Sequence, residues 1–241
     1  MNFSKRSLKK ELLDRVDIPF DDIRQNMEEL EFINTHLGGH KITIAGIRNL
    51  LINSSMTKNR EFIICEIGCG GGDNMLAIQN WCSKRNIRVR FIGIDINPYC
   101  TEVASTKLAG VNASFITSDY ILAEFADDKP DVIFSSLFCH HFTNEELIRM
   151  LEWMSVKARH GFFINDLHRH RMAYYSIKVL TQAFSRSYLV KNDAPLSVLR
   201  GFTQNEWKRL LEAAGISRYA IQWKWAFRHL ITVRSSISTL H

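Results

Sequence analysis

Glu66-Ile67-Gly68-Cys69-Gly70-Gly71-Gly72-Asp73 is the stretch that decides the fold of this chain. The apolar run Phe62-Ile63-Ile64-Cys65 precedes it and reads as a buried strand. Asn74-Met75-Leu76-Ala77-Ile78 follows and reads as the start of a helix. Glycines at 68, 70 and 72 let the backbone turn sharply and let a ligand approach with no Cβ in the way. Two neighbouring fingerprints fail on spacing. A dinucleotide G-x-G-x-x-G counted from Gly68 meets Asp73 where a glycine is required, and counted from Gly70 it meets Met75. No G-x-x-x-x-G-K-[ST] occurs, which removes a P-loop. An acid at Glu66 is ill suited to a pyrophosphate and suits a cationic, amino-acid-bearing ligand.

Two further strand ends carry acids. Arg90-Phe91-Ile92-Gly93-Ile94-Asp95-Ile96-Asn97 is a short apolar run that ends in Asp95, a little over twenty residues past the glycines. A βαβ unit places an acid there within reach of a ribose, and a carboxylate can accept from both ribose hydroxyls. Ala113-Ser114-Phe115-Ile116-Thr117-Ser118-Asp119-Tyr120 reads as a third strand ending in Ser-Asp.

The run E-x-G-C-G-x-G, with Asp95 and Asp119 behind it, resembles the motifs of class I S-adenosylmethionine (SAM) dependent methyltransferases. The pattern is most similar to the small-molecule branch that includes the ubiquinone and menaquinone methyltransferases, and the resemblance covers about residues 61–233. It implies SAM as cofactor and S-adenosylhomocysteine as product. It implies cofactor contacts from Glu66, Gly68, Cys69, Gly70, Gly72, Asp95, Ile96, Asp119, Tyr120, Ser136 and Leu137, with Asp119 facing the adenine amino group and Tyr120 lining the adenine face. It also implies a Rossmann-like, doubly wound α/β fold: a seven-stranded, mostly parallel sheet with helices on both faces and an antiparallel C-terminal strand.

The remaining sequence fits that frame. From about residue 61 strands and helices alternate, which predicts a parallel sheet with right-handed crossovers. Asp131-Val132-Ile133-Phe134-Ser135-Ser136 reads as the fourth strand and Gly161-Phe162-Phe163-Ile164-Asn165-Asp166 as the fifth. Thr143-Asn144-Glu145-Glu146 and Thr203-Gln204-Asn205-Glu206 are capping boxes that open helices. Ile221-Gln222-Trp223-Lys224-Trp225 and Leu230-Ile231-Thr232-Val233 read as two terminal strands. Residues 1–60 form a helical N-terminal extension that caps a methyltransferase domain at 61–241. Leu12-Leu13-Asp14, Ile23–Ile33 and His40–Leu51 carry its helical spacing, and Gly38-Gly39 ends the second helix. Residues 167–201 interrupt the alternation as a lid-like insertion, helical over Met172–Phe184 and irregular over Val190–Arg200.

Composition is that of one soluble domain: 46% hydrophobic and 23% charged residues, with a net charge of +6 dispersed along the chain. That balance is weak support for nucleic acid as a partner. The cluster Lys5-Arg6-Ser7-Leu8-Lys9-Lys10 reads as a solvated tail. No apolar run approaches the roughly 18–20 residues that cross a bilayer, and the N-terminus lacks a secretory pattern. Five cysteines without a C-x-x-C pair read as free thiols in a reducing cytoplasm.

SAM carries an activated methyl, so the protein must place the acceptor in line with it and, for a hydroxyl acceptor, remove a proton. Positioning alone can supply roughly 7–11 kcal/mol. His140 and His141, after the fourth strand, are the candidate bases, because a neutral imidazole accepts a proton at neutral pH. His141 is favoured: small-molecule relatives in the family often carry a histidine just before a hydrophobic residue at this point. His168, Tyr174 and Tyr175 are candidate contacts for a hydrophobic or aromatic acceptor under the lid. A metal is not expected. A catechol-type magnesium site needs acids at both the fourth and fifth strand ends, and the fourth ends in Ser135-Ser136. The expected activity is methyl transfer to a small hydroxyl-bearing acceptor. The alternatives are a macromolecular acceptor such as RNA or protein, and a non-catalytic SAM-binding protein. Ser135-Ser136-Leu137-Phe138 stands where amino-nitrogen enzymes often carry an Asn/Asp-Pro-Pro-Tyr type motif.

Overall fold

Near-continuous apolar runs become central strands because both faces of a parallel sheet are covered. A computed structural model describes residues 2–15, 17–51, 60–125 and 129–235. Among these, seven strands form one sheet: β1 (Phe62–Ile67), β2 (Val89–Asp95), β3 (Ala113–Thr117), β4 (Val132–Ser136), β5 (Gly161–Leu167), β6 (Tyr219–Lys224) and β7 (Arg228–Arg234). Their order is β3-β2-β1-β4-β5-β7-β6. β1 to β5 are parallel, and β7 runs antiparallel to both β5 and β6. The order reverses between β1 and β4, and a sheet of this kind binds its ligand outside the strand ends at that reversal.

The helices are α1 (Phe20–His36), α2 (Gly39–Leu51), α3 (Asp73–Ser83), α4 (Pro98–Lys107), α5 (Asn144–Lys157), α6 (Arg171–Phe184), α7 (Tyr188–Arg200) and α8 (Gln204–Ala213). Both capping boxes form: Thr143 and Thr203 accept from the backbone of Glu146 and Glu206, whose carboxylates reach back. One core lies between the sheet and α5 and α8, with Met150, Met154 and Trp207 fully buried. The other lies between the sheet and α2 and α3, and there Phe134 stacks on Phe163 at 4.9 Å.

α2 therefore fills one face of the sheet. A Cβ on its Gly46 would stand 2.4 Å from the Phe163 ring, so only glycine allows that approach. Its expected junction with the sheet spans 52–59, which lie outside the described residues.

Three local readings need correction. Lys5–Lys10 is not a solvated tail, because Arg6 is drawn into the protein. Its guanidinium donates to the carbonyls of Arg200 and Phe142 at 2.8 and 2.9 Å and lies 3.9 Å from the Phe202 ring centroid. Leu12–Asp14 is a single 3-10 turn, pinned by Asp193, whose carboxylate accepts the Leu12 and Leu13 N–H groups at 2.8 and 2.9 Å. Val190–Arg200 is regular helix and belongs to α7. Pro195 forfeits one backbone bond inside it, but burial of Leu189, Val190 and Val198 holds the helix together. Glu29 of α1 receives the Arg186 and Ser187 N–H groups ahead of α7.

Candidate active site

The glycine loop leaves β1 and enters α3 with Gly68, Gly70 and Gly72 all at positive φ. Gly70 faces open space: a Cβ there would meet nothing within 4 Å. At Gly68 a Cβ would meet the Phe138 ring at 2.4 Å, so the segment after β4 lies directly over the loop. Cys69 is buried, with its Sγ 3.8 Å from the Gly70 carbonyl. Asp95 braces the loop, accepting from Gly70 N–H and Asn97 N–H, each at 2.9 Å. Burial holds its carboxyl above the usual range.

Glu66 is fully buried, which pushes its carboxyl well up. Its Oε1 accepts from Asn74 Nδ2 at 2.9 Å, while its Oε2 is buried without a hydrogen-bond partner. A buried orphan carboxylate oxygen is costly unless a ligand supplies a donor. An open glycine cradle with such an oxygen beside it fits the amino-acid portion of SAM. The polar chain continues from Asn74 Oδ1 to Thr43 Oγ1 at 3.1 Å, and Asn165 Nδ2 donates to Ser136 Oγ at 3.1 Å. Asp73, the first residue of α3, ties the end of the loop to α1 and α2 through Asn34 and His40. Burial raises its carboxyl, but His40 Nε2 at 2.7 Å and Asn34 outweigh that and hold it below the usual range.

The other expected cofactor residues surround the same strand ends. Ile96 is exposed beside Asp95. Asp119 accepts Ile121 N–H through Oδ1 at 3.1 Å. Tyr120 is turned mostly toward the core, edge-on to Trp153 at 5.4 Å, and burial pushes its hydroxyl up to about 12. Leu137 has φ +55°, a left-handed conformation costing a non-glycine residue about 1–2 kcal/mol. Its N–H donates to Asn165 O at 2.8 Å, and the strain aims the next residues over the loop.

Those residues include the two histidines. His140 is buried, and its Nδ1 meets Asp166 Oδ1 at 2.8 Å. Burial alone would raise Asp166; the His140 charge and hydrogen bond outweigh it and hold the carboxyl below the usual range. His141 is more open, and its Nδ1 meets Asp14 Oδ1 at 3.1 Å. Both Nε2 atoms face Glu11, at 3.6 and 3.7 Å. Arg200 fixes the turn by donating to the carbonyls of His140 and His141 at 2.9 and 2.7 Å. Glu11, Asp14 and Arg200 were not legible as site residues, because more than a hundred residues separate Glu11 and Asp14 from the histidines. Among the described residues, Glu11, His140 and His141 are the group whose geometry could hold a metal ion.

The expected acceptor residues are not brought together. Tyr174 is buried against Phe3 and Val198, whereas Tyr175 is exposed. Helical spacing puts Met172, Tyr175 and Val179 on the outer side of α6, and Phe184 is exposed at its end. His168 sits apart, 4.7 Å from the His229 ring. All five cysteines are buried free thiols. No helix among the described residues is long and apolar enough to cross a membrane.

Residues 64–161 match the family described as Methyltransferase domain. A putative protein N5-glutamine methyltransferase of Methanocaldococcus jannaschii is 40% identical over 86 residues, 35% of this chain and 39% of that protein. The plantazolicin methyltransferase BpumL, solved with a desmethyl-plantazolicin analogue and S-adenosylhomocysteine, superposes with TM-score 0.66 at 17% identity, covering 89% of this chain and 90% of that one. Human N-acetylserotonin methyltransferase, solved with SAM, gives 0.59 at 15% identity over 90% of this chain and 56% of that one. At those identities the structural likeness is one of fold.

Proposed function

Since residues 64–161 are a methyltransferase domain within a class I SAM-dependent methyltransferase fold, we propose that this protein transfers a methyl group from SAM to a hydroxyl oxygen of a small hydrophobic or aromatic acceptor. The observation that carries the reading is the pairing of an open glycine cradle with the orphan Glu66 carboxylate on one side and two oriented histidines on the other. When bound, SAM supplies a methyl already activated by its sulfonium.

The chain's own residues do the rest. In this reading Glu66 receives the cofactor's amino group, Gly68, Cys69, Gly70 and Gly72 line its amino-acid portion, and Asp95 receives the ribose hydroxyls with Ile96 beside it. Asp119 and an edge of Tyr120 serve the adenine, and Ser136 and Leu137 close the methyl side. His141, the more open histidine, takes the acceptor's hydroxyl proton on Nε2 as the oxygen bonds to the methyl carbon. Nδ1–H donation to Asp14 leaves that Nε2 lone pair free, and Asp166 does the same for His140. Proton transfer of this kind contributes typically about 10²–10⁴-fold.

In this reading the helical N-terminal extension and the insertion at about 167–201 cover the acceptor space; Tyr174 packs inside that cover, Tyr175 lies on its outer side, and His168 stands apart beside His229. Glutamine methylation, suggested by the archaeal relative's name, is less well supported, because Ser135-Ser136-Leu137-Phe138 offers no amide-binding Asn or Asp at the β4 end. A panel of phenols and quinols incubated with methyl-labelled SAM tests the proposal. Label transferred to a hydroxyl, and lost in His141→Ala, supports it. Transfer to nitrogen or to a protein amide would overturn the oxygen assignment.

A further inference from the structure

We propose that Glu11, His140 and His141 form a binding site for a divalent transition ion, zinc above all. Two imidazoles and one carboxyl group face one another here. Each histidine spends its Nδ1–H on a carboxylate, His140 on Asp166 at 2.8 Å and His141 on Asp14 at 3.1 Å. The Nε2 atoms are left as lone pairs, and both point at the Glu11 carboxylate, at 3.6 and 3.7 Å. Those separations exceed an N–H···O hydrogen bond, which ends near about 3.2 Å. They approach the spacing of two ligands on one tetrahedral ion, about 3.3–3.5 Å for zinc bonds of 2.0–2.2 Å. All three ligand atoms lie within 4.8 Å of one another.

The surroundings are those of a supported metal site. A carboxylate behind each ligating imidazole fixes its tautomer and ring orientation. Glu11 is oriented in turn, its Oε1 accepting from Ser197 Oγ at 2.8 Å. Glu11 and His140 are buried and His141 is partly open, which leaves one side for a fourth ligand. The carboxyl groups of Glu11, Asp14 and Asp166 surround the two imidazoles, and the Arg200 guanidinium stands 3.8 Å from Glu11 Oε1. Two imidazoles and one carboxylate suit zinc or cobalt better than magnesium or calcium, which prefer all-oxygen shells.

The site coincides with the histidines assigned above to proton removal, and this consequence rests on that reading. An ion that engages both Nε2 lone pairs removes the proton acceptor, so bound zinc inhibits methyl transfer and a chelator restores it.

The test is calorimetric titration of the chelator-treated full chain with Zn²⁺, and with Co²⁺ followed by visible d–d absorption. One equivalent of Zn²⁺ is expected at micromolar affinity. Glu11→Ala and His141→Ala should each weaken binding by at least about tenfold, and Asp14→Asn by about 10–100-fold. His36→Ala, at an exposed histidine elsewhere, should leave affinity unchanged. Glu11→Gln keeps the side-chain shape but loses the anionic ligand, so it should also lose zinc should Glu11→Ala prove unstable. Circular dichroism and thermal unfolding of each variant report folding separately, and SAM titration reports the cofactor site. No zinc bound by folded protein, or affinity unchanged in Glu11→Gln, overturns the site. Zinc binding without SAM binding would leave the ion site standing and refute the methyltransferase reading. Activation by zinc would leave the site and refute the histidine-base assignment.

Discussion

Gly70→Ala separates a ligand cradle from a merely structural turn. Gly70 sits at φ +49° and a Cβ there meets no protein atom within 4 Å. The only folding cost is the left-handed conformation of a non-glycine residue, about 1–2 kcal/mol. For a chain of this size that lowers Tm by about 2–8 °C. The new methyl fills the space the loop keeps clear. Overpacking a close contact costs about 1–3 kcal/mol, which weakens SAM binding about five- to 150-fold. Gly68→Ala should behave oppositely. It pays the same backbone strain and also drives a Cβ to 2.4 Å from the Phe138 ring, so it loses about 2–5 kcal/mol of stability. Differential scanning calorimetry and SAM titration of both variants read the two effects. A folded Gly70→Ala protein with unchanged SAM affinity would refute the cradle.

Three other outcomes follow from the geometry. His141→Ala should lower kcat about 10²–10⁴-fold at unchanged SAM affinity, read by steady-state kinetics on any acceptor the panel identifies. Arg6→Ala removes hydrogen bonds to Arg200 and Phe142 and the stacking on Phe202, so it should cost about 2–4 kcal/mol and speed hydrogen exchange over residues 2–14. Exchange unchanged there would show the strap is held otherwise. Burial pushes the His229 imidazole down to about 4, with His168 adding to the effect and Asp166 opposing it. The unfolded chain takes up that proton near pH 6.5, so the contribution is full above about pH 6.5 and is lost as pH falls toward 4. Denaturant titrations should show this loss flattened in His229→Phe.

The sheet was legible because its strands are uninterrupted apolar runs bounded by glycine or acid, and the capping boxes were legible because their bonds are local. The glycine loop announced the sharp turn from β1 into α3 in the same way. What escaped depends on distant partners. Arg6 reads as one of several basic residues until Arg200 and Phe142 surround it. Glu11 and Asp14 look like surface acids in a short polar segment, and only folding sets them beside His141. α7 read as irregular because Pro195 interrupts it, while the packing that sustains it comes from α6 and the N-terminal turn. The inner and outer faces of α6 are both apolar, so periodicity could not say that Tyr174 is buried and Tyr175 exposed.

Calorimetric titration of the purified protein with SAM and with S-adenosylhomocysteine, alongside Asp95→Ala, decides whether the glycine loop and Asp95 hold the cofactor. Asp95 accepts from Gly70 N–H at 2.9 Å and stands at the end of β2, so micromolar binding of both ligands is expected, and loss of binding in the variant. A folded protein that binds neither ligand, or an Asp95→Ala variant that binds both as tightly as the parent, would contradict that assignment.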